Sequence, residues 1–211
     1  MNQDADTVED LEQRARAGDQ QALARLFDHY GSRLRRMVQL RLDRRVQGRI
    51  DVSDVLQEAY LDAVQRVPEY AAQPGVPFYL WLRGLTGQRL LILHRCHLGA
   101  QMRDAGREVS LHQGVLPRAS SVSLAAQLLG HLTSPSEAAI RAEAQRKLQE
   151  ALEAMEPLDR EVLTLRHLEE LSNSETAAVL GLRKAAASNR YMRALRRLKE
   201  ILSATPGLLG G

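Results

Sequence analysis

The chain has 211 residues, 44% of them hydrophobic and only 4% aromatic, with a net charge of +3. That length allows one large or two small domains, and a core so poor in rings must be built of Leu, Ala and Val, which favours helices over sheets. The single cysteine, Cys96, excludes an intramolecular disulfide, no apolar run approaches a membrane span, and the acidic N-terminus lacks the apolar core of a signal peptide. The expected setting is the cytoplasm, without membrane insertion. Charge is unevenly placed: the first twelve residues hold five acids and no base, whereas residues 33–49 hold seven arginines against one acid, Asp43. Such asymmetry points to local anionic partners rather than to a uniformly basic surface.

In chain order, Asp6 to Tyr30 predicts two short helices around Gly18 and Asp19, with Val8, Leu11 and Ala15, then Ala22, Leu23, Leu26 and Phe27, at helical spacing. Ser32 to Leu42 predicts a further helix with Leu34, Met37, Val38 and Leu42 inward. Asp51 is a candidate N-cap for the next helix, with Asp54 at its third position, near the positive dipole end. Its Asp54, Gln57, Glu58 and Asp62 form an acidic, amide-bearing face, either simply solvated or a dock for a basic partner. Three prolines and Gly75 between Pro68 and Pro77 predict a loop. A long helical stretch follows from Phe78 to about Arg107, with candidate breaks near Gly84 to Gly87 and at Gly99.

Five of the eight aromatics lie between Tyr60 and Trp81, and Arg83, Arg89, Arg95, Arg103 and Arg107 follow. Rings beside guanidinium groups suit unpaired bases, which stack while phosphates meet the charge. For Phe78 and Trp81 a place in the core is the better reading, because aromatics dominate core energetics; the basic residues read as nucleic-acid contacts. His94, Cys96 and His97 do not make a metal site: on a helix Cys96 points away from the other two, and no second cluster completes four ligands.

Val109 to Pro135 carries one charged residue, Arg118, with five serines, and reads as a linker with a short helix at Leu124 to Leu129. Ser134, Pro135 and Glu137 mark a new helix start, running to about Met155, and Pro157 starts the next. Leu158 to Leu202 then reads as three helices. Ser172 and Glu175 form a capping box, Gly181 supplies a tight turn, and a long helix runs from about Arg183 to Leu202. Ala187, Tyr191, Ala194, Leu195, Leu198, Ile201 and Leu202 recur on one side of it. Arg183, Lys184, Arg190, Arg193, Arg196, Arg197 and Lys199 fill the other, against one acid, Glu200. A short capped helix, a Gly turn and a long basic helix are what a reader of the DNA major groove needs. The fold class is therefore all-α: two small helical domains, 1–108 and 134–205, joined by a flexible linker, 109–133, the second domain a helix-turn-helix.

Taken together, these stretches resemble the extracytoplasmic-function (group IV) sigma factors of bacterial RNA polymerase. The resemblance rests on Asp51 to Glu58, on Trp81-Leu82 with the basic helix after it, on Ser134 to Glu137, and on the helix-turn-helix of Leu158 to Leu198. It implies that Asp54, Val55, Gln57 and Glu58 dock on the clamp of the polymerase's largest subunit. It implies that Trp81, Gln88, Arg89, Arg95 and Arg103 bind the -10 element, with the Glu69-to-Pro77 loop capturing a flipped base. Arg183, Lys184, Ser188, Asn189, Arg190 and Arg193 would read the -35 element, where bidentate Arg–guanine and Asn–adenine contacts are the physical means. The chain departs from the family's usual residues at Ile92, Ala187 and Ser188, and its linker lacks acids.

The function so implied is promoter recognition and melting as a non-catalytic subunit, with core RNA polymerase and promoter DNA as partners and an anti-sigma factor as a further candidate. The alternative is a helix-turn-helix regulator acting alone, but such a protein needs neither the Asp54–Glu58 face nor the Pro68–Pro77 loop. An enzyme has little support: there is no Gly-rich phosphate loop and no nucleophile–base signature, and no cofactor or metal is expected.

Overall fold

A computed structural model describes residues 6–43, 45–46, 48–72, 75–98, 119–130 and 138–203. The described residues form nine α-helices and one π-helical turn. The chain divides into two compact units, one of residues 1–38 and 42–117, the other of residues 39–41 and 118–211.

The first unit opens with α1 (Val8–Arg16), capped reciprocally by Thr7 and Asp10. Gly18 turns the chain at φ 90°, and Asp19 caps α2 (Gln20–Arg41) by accepting from the backbone N–H groups of Gln21 and Ala22 at 2.9 and 3.0 Å. The two helices expected on either side of Gly31 are one. A mid-helix glycine costs about 1 kcal/mol relative to alanine, but Leu23, Leu26, Leu34, Met37 and Val38 stay in helical phase across it and are all buried. Their burial, at about 1.5–3 kcal/mol per large side chain, decides in favour of continuity.

Helix α3 (Val52–Ala71) starts at a second reciprocal box. Asp51 Oδ1 accepts from the Asp54 N–H at 2.8 Å, and the Asp51 N–H donates to Asp54 Oδ2 at 2.8 Å. The helix runs through Pro68 rather than stopping there. Proline removes one hydrogen bond from the last turn, while buried Val67 and Tyr70 anchor that turn to the core. Helix α4 (Phe78–Leu98) likewise runs unbroken through Gly84 and Gly87, its face of Leu82, Leu85 and Leu90 almost fully buried. Gly99 and the stretch to Arg107 lie outside the described residues.

The second unit contains α5 (Ser121–Gly130), α6 (Ala138–Glu153), α7 (Pro157–Leu163) with the π-helical turn Thr164–Leu168, α8 (Asn173–Leu180) and α9 (Lys184–Ser203). Leu124 and Ala125 of α5 share a buried cluster with Leu148, Leu152, Met155, Leu163, Leu168 and Ala194. The segment read as linker thus holds a helix that is part of this unit's core. A ten-residue helix is marginal by itself in water, so burial of its uncharged apolar side holds it. The start expected at Ser134 to Glu137 lies outside the described residues. Tyr191, Leu195, Leu198, Ile201 and Leu202 of α9 pack against the same cluster, on the side its spacing predicts.

Candidate nucleic-acid and polymerase interfaces

The helix-turn-helix is built by local rules. Ser172 Oγ accepts from the Glu175 N–H at 3.1 Å, and Glu175 Oε2 accepts from the Ser172 N–H at 2.7 Å, so α8 begins as its sequence predicts. Gly181 closes it at φ 64°, ψ 30°, a left-handed conformation in which glycine carries no steric cost. The Leu182 N–H then donates to the Ala177 carbonyl at 2.8 Å. A bond invisible to the sequence completes the geometry: the Asn173 side-chain amide donates to the Lys184 carbonyl at 2.9 Å and ties the start of α8 to the start of α9. Ala177 and Ala187 are both buried, and their methyl groups let these helices approach closely. Ala187 therefore packs in the core.

Of the expected -35 residues, Arg183, Lys184, Ser188 and Asn189 are exposed at the start of α9. Arg190 and Arg193 are engaged within the protein. Arg190 Nη1 lies 2.7 Å from Asp159 Oδ1 and 3.3 Å from Glu156 Oε2; Arg193 Nη2 lies 3.2 Å and 3.6 Å from the same two oxygens. Sequence reading passed over Asp159, because an acid just inside a helix opened by Pro157 looks like an ordinary helix start.

In the first unit, Asp54, Gln57 and Glu58 are exposed on α3. Val55, expected with them, is fully buried. It faces the core because the helical period carries position 55 onto the side of Ala59 and Ala63, beneath the exposed Asp54, Gln57 and Glu58. Trp81 also lies inside. It stacks on Tyr70 with ring centroids 4.8 Å apart and meets Phe78 at 5.3 Å, which is the core role the composition favoured. At 3% exposure it is enclosed by its neighbours, so the expected contact with DNA does not show at this side chain.

Tyr70 is the centre of that cluster. Its hydroxyl donates to the Val76 carbonyl at 2.9 Å and accepts from Arg16 Nη2 at 2.5 Å, while the Arg16 guanidinium lies over its ring at 4.1 Å. Burial pushes its phenol up to about 12, so it remains a neutral donor that pins the chain just before α4. Gln88 is half-buried, and its side-chain oxygen accepts from Arg66 Nη1 at 3.1 Å, which orients the amide. Arg89 is held by Asp62 and Glu58 of α3, and Arg95 is exposed; Arg103 lies outside the described residues.

His94 is buried and accepts at Nε2 from the Asp43 backbone N–H at 3.2 Å, with burial lowering its pKa. Cys96 and His97 are exposed, and among the described residues no group of His, Cys, Asp and Glu is placed to hold a metal ion. No helix among the described residues is long and apolar enough to cross a membrane.

A short capped helix, a glycine turn and an exposed basic helix have the geometry of a helix-turn-helix. Residues 145–198 match the family described as Sigma-70, region 4. The chain is 28% identical over 204 residues to the ECF RNA polymerase sigma factor SigD of Mycobacterium tuberculosis (strain ATCC 25618 / H37Rv), covering 97% of this chain and 88% of that protein. It is 27% identical over 199 residues to the ECF RNA polymerase sigma factor BldN of Streptomyces coelicolor, covering 94% of this chain and 67% of that protein. Its fold is similar to that of CnrH, solved in complex with the cytosolic domain of CnrY, with a TM-score of 0.54 at 23% identity over 92% of this chain and 96% of the other. Over residues 145–198 the chain thus matches a region 4 domain, and over nearly its whole length it is similar to extracytoplasmic-function sigma factors.

Proposed function

We propose that this chain is the promoter-recognition subunit of a bacterial RNA polymerase holoenzyme, a non-catalytic initiation factor that works in the cytoplasm. One observation carries the reading: the region 4 match coincides with a helix-turn-helix whose exposed leading residues are Arg183, Lys184, Ser188 and Asn189. Arginine and asparagine read guanine and adenine edges, and lysine neutralises phosphate. These residues, with Arg193, contact the -35 element.

The docking face for the largest subunit of core polymerase is Asp54, Gln57 and Glu58, three exposed polar side chains on the outer side of α3. Gln88, Arg89, Arg95 and Arg103 serve the -10 element, with the Tyr70-anchored loop as the frame for an extruded base. Unstacking a base costs a few kcal/mol, which a backbone held in place at Val76 by Tyr70 helps to offset. An anti-sigma factor completes the set of partners.

The test is run-off transcription with core polymerase on a genomic promoter library, together with core pulldown by the full chain. Specific transcripts that vanish with Arg183→Ala and Lys184→Ala, while core is still captured, are the expected result. Failure to capture core would overturn the reading in favour of a regulator that binds DNA alone.

A further inference from the structure

We infer that Asp159 is a positioning residue that sets the selectivity of α9, holding Arg190 as an internal strut and competing with DNA phosphate for Arg193. The inference rests on the reading of α9 as the -35 contact and assigns unequal roles to two arginines that the sequence treats alike.

Asp159 sits in the first turn of α7 with its side chain only 7% exposed. A carboxylate so placed must keep a cationic partner, since an unpaired buried charge is far costlier than a paired one. Two arginines share its Oδ1. Arg190 is closer, at 2.7 Å, and its side chain is 21% exposed; Arg193 is farther, at 3.2 Å, and 55% exposed. Glu156 Oε2 adds a second acidic atom at 3.3 Å from Arg190 and 3.6 Å from Arg193.

These differences decide which arginine can leave. Arg193 can exchange its carboxylate for a phosphate without stranding Asp159, because Arg190 remains. Arg190 cannot leave so readily, being more enclosed and more tightly bonded. Arg193 therefore meets DNA only where the offered geometry outcompetes an acid already in place. That competition weakens the hold of Arg193 on phosphate for every sequence. The discrimination comes from Arg190, whose bond to the buried carboxylate keeps α9 in one orientation. Losing Asp159 therefore strengthens non-specific contact and relaxes the fit a matching sequence requires.

The experiment combines the full chain, or each variant, with core RNA polymerase. Each holoenzyme selects from a pool of duplexes randomised over the -35 region, and affinities for the selected and a scrambled duplex are followed as salt is raised. Asp159→Asn is expected to steepen the salt dependence by about one counterion, because Arg193 becomes available to any phosphate. It is also expected to reduce the selected-to-scrambled ratio about tenfold, in the range of one lost discriminating contact. Asp159→Glu, which keeps the charge, should recover both readouts. A purely structural Asp159 would lower the melting temperature and leave slope and ratio unchanged, and that result overturns the inference. If Asp159→Asn does not fold, Glu156→Gln decides the matter: a smaller shift in the same direction supports the inference, and unchanged slope and ratio overturn it. If the unaltered holoenzyme selects no sequence, the -35 reading itself fails and this inference falls with it; if it selects a sequence that the Asp159 variant selects equally well, only the inference fails.

Discussion

The guanidinium of Arg89 on α4 grips the carboxylate of Asp62 on α3 through two hydrogen bonds, one of them Nε to Oδ2 at 2.9 Å. A third nitrogen, Nη1, lies 3.6 Å from Glu58 Oε2. A residue proposed to serve the -10 element is thus fixed by the helix proposed to dock on polymerase. Asp62→Ala should lower stability by about 1–2 kcal/mol, the range for stripping a partly buried charge of its partner. Arg89→Ala should weaken core capture as well as -10 binding, since Glu58 loses its neighbour. A double-mutant cycle on thermal unfolding, combined with core pulldown, checks both effects; additive single mutations would show the pair to be uncoupled.

Tyr70→Phe keeps the ring in its stack and deletes only the hydroxyl that joins Arg16 to the Val76 carbonyl. The expected loss is about 1 kcal/mol, the net worth of a hydrogen bond, with a further cost for the carbonyl left without a donor. Function should suffer more than stability, because the bond orders the chain ahead of α4. Slower promoter opening, followed by fluorescence of a base analogue placed in the -10 element, would show it.

Acid should destabilise the first unit through His94. Burial lowers its pKa below the ordinary 6.5, so the native state keeps the ring neutral where the unfolded chain would begin to protonate. The contribution to stability is complete above the unfolded pKa and is lost as pH falls from about 6.5 through the lower native value. His167 in the second unit, also lowered mainly by burial, shifts in the same sense. The melting temperature should drop between neutral pH and about pH 5, and His94→Gln should flatten part of that slope while lowering stability at neutral pH.

Thr176 is fully buried in α8, and its hydroxyl has no hydrogen-bond partner among the described residues. Thr176→Val replaces that hydroxyl with a methyl group of similar size and removes the penalty for burying an unsatisfied polar group. Stability should rise by about 1 kcal/mol, the lower part of the range for such a group. Chemical denaturation with an unchanged m-value would measure it; a fall in stability would mean that the hydroxyl is satisfied in solution.

The local signals were legible in the sequence. The boxes at Asp51–Asp54 and Ser172–Glu175, the turn at Gly181 and the apolar stripe of α9 are short-range physics, and residues a few positions apart suffice to read them. Breakers were over-weighted: Gly31, Pro68, Gly84 and Gly87 all lie inside helices, because tertiary burial of Met37, Tyr70 and Leu85 outweighs their intrinsic cost. Pairings between distant positions were not legible. Nothing in the sequence links Asp159 to Arg190 or Asn173 to Lys184, since each bond depends on how two helices cross. Val55 shows the converse limit: next to a polar face in the sequence, it lies in the core.

On α9, packing and reading are carried by different letters of the sequence. Ala187 and Ala194 fix the helix in place, while Arg183, Lys184, Ser188 and Asn189 stand clear of the core. Exposed positions of this kind accept substitution within about 0.5 kcal/mol. If the four read promoters as proposed, descendants of this chain can drift to new ones by changing those positions, with the fold indifferent to the choice. Position 193 is freer than position 190, whose replacement leaves a buried acid behind. The repertoire open to this helix is thus bounded by one carboxylate on the helix behind it.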